Sequence, residues 1–166
     1  MTTLIRAFAL TATAALAAGC GDRNEPNGET AQSTPAASES TMAKPQLPRT
    51  DAPDGARVFF SELADGAVVT SPLTVRFGVE NLTVVPAGDD QPGSGHHHLL
   101  IDTGLPDFGL PIPKDDQHVH FGGGQTETVL ELAPGKHTLQ LLLGDHLHIP
   151  HQPPVYSGVI TITVTE

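Results

Sequence analysis

Along Leu73–Glu80 apolar and polar side chains take turns, with Leu73, Val75, Phe77 and Val79 on one parity and Thr74, Arg76 and Glu80 on the other. A period of two predicts a half-buried β-strand. The same alternation marks 118–121, where Val119 and Phe121 interleave with His118 and His120. It returns at 159–165, where Ile160, Ile162 and Val164 interleave with threonines. Apolar runs of strand length occupy 97–102 and 137–143, and shorter candidates fall at 57–61 and 126–132. Gly, Pro and Asp separate these segments, and no stretch carries a helical period. About seven short strands of this kind predict a single immunoglobulin-like β-sandwich over residues 56–166. The Pro-rich stretches 104–113 and 149–154 are expected to be long loops. His137, just after Pro134-Gly135, falls where such sandwiches place a corner residue bonded to backbone.

The first 55 residues have a different character. Arg6, then an apolar run from Ala7 to Ala18 too short to span a bilayer, reads as a signal peptide over 1–19. It closes on Leu16-Ala-Ala-Gly-Cys20, which resembles the lipobox of bacterial lipoproteins and implies lipidation of Cys20. Cys20 is the only cysteine, so no intramolecular disulfide can form and an unmodified thiol in an exported chain would be anomalous. Residues 20–55 are rich in Pro, Ser, Thr, Ala and Glu and are expected to form a disordered tether. The localisation that follows is the bacterial cell envelope, with membrane contact through the anchor at Cys20.

Charge narrows the function classes. The chain has 19 acidic and 8 basic residues. From Val58 onward the only Lys or Arg residues are Arg76, Lys114 and Lys136. A domain this acidic lacks the basic footprint that nucleic acid requires, whereas it suits cations.

The candidate chemistry is imidazole. All nine histidines fall between His96 and His151, and six form H-x-H pairs: His96 and His98, His118 and His120, His146 and His148. Residues i and i+2 of a strand share a face, so each pair can aim two rings at one point. These six are the candidate metal ligands, with Asp102, Asp116 and Asp145 as additional oxygen donors. His98, His118 and His120 are expected to form the centre, completed by His96, His146 and His148. His97 should point the other way, to the core edge or solvent. Imidazole with carboxylate suits Cu(II) or Zn, whereas the absence of Cys and Met from the domain excludes a blue-copper site. The rival readings are a metal-free module that binds an envelope protein or a glycan, and a cupin-like metalloenzyme using His118, His120 and Glu127. The spacing to Glu127 is longer than the cupin pattern. No nucleophile elbow or phosphate loop is present, so catalysis is not expected.

The blocks "GHHHLLID", "HVHFGGGQTE" and "PGKHTLQLLLGDHLHIPH", followed one residue later by "PPV", resemble the bacterial domain of unknown function 4399 family across most of residues 95–155. The resemblance implies an exported bacterial domain. It supplies no catalytic residues, so function rests on the side chains themselves.

Overall fold

The computed structural model describes residues 47–166. The expected signal peptide, Cys20 and the tether up to residue 46 lie outside the described residues. Nine strands follow in order: β1 (Arg57–Phe60), β2 (Val68–Thr70), β3 (Leu73–Glu80), β4 (Thr83–Val84), β5 (Ser94–Ile101), β6 (His118–His120), β7 (Glu127–Leu130), β8 (Gly135–Gly144) and β9 (Ile160–Thr165). They form an all-β sandwich. One sheet has the order β1-β3-β7, and the other β2-β9-β8-β5-β4 with β6 also paired to β5. In immunoglobulin lettering these are A-B-E facing G-F-C.

All seven strands expected from the pattern are present. The two unexpected ones, β2 and β4, have three residues and two, too few to show a period. On β3, Leu73, Val75 and Phe77 are buried and Thr74 and Arg76 exposed. On β9, Ile162 and Val164 point inward in the same way. The main core joins these to Leu99, Phe121, Leu139, Leu141 and Leu143.

β5 and β8 form the middle of the larger sheet and are buried on both faces. On β5 the parity of His97 and Leu99 faces the main core, whereas His96, His98 and Leu100 face outward. That outer face is roofed by the long loops. Leu100 and Leu142 pack there with Ile112, Leu105 and Phe108 in a second apolar cluster. Seven of the eight residues of β5 are therefore buried, histidines included.

His137 is the expected corner residue. Its Nε2 meets the Ala133 carbonyl at 2.9 Å and its Nδ1 meets Asp102 Oδ2 at 2.7 Å. Two acceptors on one ring favour the doubly protonated form, and the Asp102 carboxylate raises the His137 pKa above its usual 6.5. Burial alone would raise Asp102, but hydrogen bonds from His137 and Thr138 hold it low. A raised folded value adds stability that is complete below about pH 6.5 and is lost as pH rises through that value. His137→Phe should cost about 1–3 kcal/mol at pH 6. The difference from wild type in urea midpoints should shrink towards pH 8, and a pH-independent difference would refute the imidazolium.

The last part of the expected tether is bonded to the domain. Residues 47–52 lie along segment 150–152, with backbone bonds from Ala52 N to Gln152 O and from Gln152 N to Thr50 O, both 2.9 Å. A stretch rich in Pro and polar residues carries no periodic signal, so this docking was hidden from composition.

Candidate metal centre

The register of β5 against its neighbours assembles the site. β6 places His120 opposite His98 and His118 opposite Leu100, while β8 places Gly144 opposite His96. His120 thus joins the outer-face pair His96 and His98. A fourth ring arrives from the loop after β8. Asp145 Oδ1 accepts the N–H groups of Leu147 and Ile149 at 2.9 and 3.0 Å, and its carbonyl accepts His148 N–H at 2.9 Å. This tight turn puts His148 at φ +66° and swings its ring over the other three.

Two glycines make room. A Cβ on Gly122 would sit 2.3 Å from His120 Cε1. One on Gly144 would lie 3.1 Å from His98 Nε2. The glycine run after β6 thus opens space for a ring.

Ring centres stand 4.9 Å apart for His96–His98 and His96–His148, and 5.0 Å for His96–His120 and His98–His120. His120–His148 is 4.8 Å and His98–His148 6.1 Å. In a square of ring centres both diagonals would exceed the sides. Here the diagonal crossing His98–His148 is the 5.0 Å of His96–His120, so the box of four ring centres is not a square. One ring nitrogen each from His96, His98 and His120 converges within 4.8 Å of the others. The Nε2 atoms of His96 and His98 are 3.1 Å apart. Two imidazoles bound tetrahedrally to zinc at about 2.0–2.1 Å place their nitrogens about 3.3 Å apart, close to that spacing. His148 packs its ring against all three without bringing a nitrogen to the same convergence.

Burial favours the neutral form of the three converging rings. Burial first, then the neighbouring His148 and His120, pushes His96 down to about 4. Burial and the adjacent rings lower His98 further, and burial with His148 and Lys114 lowers His120. Ligating imidazoles must be neutral, so the site is held ready at pH 7. His96 Nδ1, His98 Nδ1 and His120 Nε2 are buried with no hydrogen-bond partner among the described residues. His97 Nε2 and His151 Nδ1, outside the cluster, are unpartnered in the same way.

Two of the six candidate ligands stand apart from the cluster. His118 shares the face of His120 but lies further along the strand, with Nδ1 on Asp115 Oδ1 at 2.8 Å. His146 turns to Asp90 at 3.4 Å. Nor do the three candidate aspartates join. Asp102 is engaged by His137 and Thr138, and Asp116 is exposed. Asp145 Oδ2 takes the Thr50 hydroxyl at 2.8 Å while Oδ1 holds the turn. Glu127 pairs with Arg76 on the opposite sheet, so no cupin-type triad forms. His97 is not at an edge: it is fully buried, 5.2 Å from the Phe77 ring, with Nδ1 at 3.2 Å from the Gln125 carbonyl. His151, unremarked in sequence because it has no H-x-H partner, is fully buried with Nε2 3.0 Å from the Ser94 carbonyl.

The family model described as domain of unknown function 4399 matches residues 75–165, more than half of the chain and all of the histidine cluster. No curated protein and no solved structure is significantly similar to it.

Proposed function

This chain belongs to the domain of unknown function 4399 family, and from the side chains of that domain we propose that it binds one divalent transition-metal ion, zinc or Cu(II). The observation that carries this reading is the convergence of one nitrogen each from His96, His98 and His120 on the roofed face of β5. Neutral imidazole donors suit zinc and Cu(II). With the anchor expected at Cys20, the role is metal binding or delivery at the cell envelope. His148 or a water would fill the fourth position. Such a position lets the ion be handed on, because an incoming ligand can attach before the imidazoles release.

Titration of Zn and of Co(II) into the full chain tests this. One ion per chain is expected, and Co(II) should give the intense visible absorption of a four-coordinate site. Gly122→Ala, whose new methyl displaces the His120 ring, should weaken binding at least about 10-fold, the scale of lost ligand orientation. Its metal-free melting temperature should change little. Wild-type affinity weaker than about millimolar would end the metal reading, and the weak spectrum of octahedral Co(II) would end the four-coordinate geometry.

A further inference from the structure

The segment upstream of β1 is bonded to the turn that carries His148. Thr50 Oγ1 donates to Asp145 Oδ2 at 2.8 Å, the oxygen left over after Oδ1 has taken the turn's N–H groups. Arg49 Nε donates to Pro150 O at 2.8 Å, and its other two nitrogens reach the Gln152 side chain and the His151 carbonyl. Its guanidinium lies 5.8 Å from the centre of the Phe108 ring, and Phe108 packs against the apolar cluster beside the metal centre. Among the described residues, every side-chain hydrogen bond of Arg49 and Thr50 thus ends within residues 145–152.

The turn needs such support. Asp145 is almost fully buried, and a buried carboxylate oxygen without a donor is costly. His148 sits in left-handed backbone, which persists in a non-glycine residue only where its surroundings over-determine it. The Thr50 hydroxyl meets the first requirement and, by fixing Asp145, contributes to the second.

Resting on the metal reading above, we propose that residues 47–52 form a strap that positions the metal site. Thr50, acting through Asp145, holds the 145–149 turn so that the His148 ring closes over His96, His98 and His120. Strap docking and metal occupancy are then linked, and the linkage is reciprocal: whatever releases the strap weakens metal binding, and metal tightens the strap. Arg49 and Thr50 are positioning residues and touch no metal.

The test uses the full chain. Zinc affinity is measured by competition with a chromophoric chelator for wild type, Thr50→Val, Thr50→Ser and Arg49→Ala. Hydrogen exchange is followed at the Ala52 and Gln152 amides with and without zinc. Thr50→Val, which keeps shape and loses the donor, should weaken zinc about 10-fold or more, as loss of a supporting hydrogen bond does elsewhere. Thr50→Ser should bind like wild type, and Arg49→Ala should share the loss. Zinc should slow exchange at both amides. Unchanged exchange in β8 of metal-free Thr50→Val separates this effect from general unfolding. Tight wild-type binding that Thr50→Val leaves intact, with no zinc effect on the two amides, overturns the strap alone. A wild-type chain that takes up no zinc overturns the metal reading and the strap with it.

Discussion

His98→Ala should abolish the stabilisation of this domain by zinc. His98 has contacts with all three other rings of the box, and its Nε2 is one half of the 3.1 Å pair with His96. Two converging nitrogens would remain of three. Metal bound only to the folded state stabilises by about 2.7 kcal/mol at a hundredfold excess over Kd. For a domain of this size that is a rise of about 10 °C in melting temperature. The variant should lose nearly all of it. His118→Ala should keep it, because the His118 ring is committed to Asp115 and lies beyond the box. The pair is measured by thermal melts with and without excess zinc. Equal loss in both variants would mean that His118 ligates after all, and equal retention would mean that the outer face is not the site.

The metal-free domain should unfold in acid well before its carboxylates titrate. Burial pushes His96 and His97 down to about 4, and His98 lower still, from an ordinary 6.5. Above 6.5 neither state holds these protons. Below it the unfolded chain takes them up and the folded chain does not, so stability falls as pH drops. Each histidine contributes about 1.4 kcal/mol per pH unit in that window. Three together lose about 4 kcal/mol per unit between 6.5 and 4, against a typical total of about 5–15 kcal/mol. Unfolding is expected near pH 5 in a chelator. His97→Leu, which removes one titrating group on the core face and no ligand, should flatten the slope by about a third. Urea midpoints from pH 7 to 5 give the slope, and a flat profile would show that these rings charge without unfolding the domain.

The fold was legible where the chain repeats itself every second residue. Leu73–Glu80 and Ile160–Thr165 each have one wet face, so their parity survives in the sequence. β5 and β8 are buried on both faces and read only as apolar runs, which is why β5 begins at Ser94 rather than at the expected His97. The site was half legible. That His96 and His98 share a face follows from strand geometry alone. That His120 joins them, rather than His118, depends on which residue of β6 stands opposite His98. Register is a property of the pairing, and nothing within either strand encodes it. His148 depends on a turn tied by Asp145, and the expected pairing of His148 with His146 pointed to the wrong partner. The docked strap was invisible for a related reason: its contacts are single hydrogen bonds to distant residues, which leave no pattern.

The short strand β2 has a consequence for solubility. Ile160–Thr165 is an uncharged run of β-branched residues, the composition from which cross-β assemblies are built. At a sheet edge it would template addition of strands from other molecules. Val68–Thr70 pairs with it in parallel from Thr163 to Thr165. Asp65 and Gly66 cap the same edge at Thr161. Three residues with little hydrophobic value of their own thus stand between a sticky strand and its copies, and their contribution would be read in aggregation lag times rather than in melting temperature.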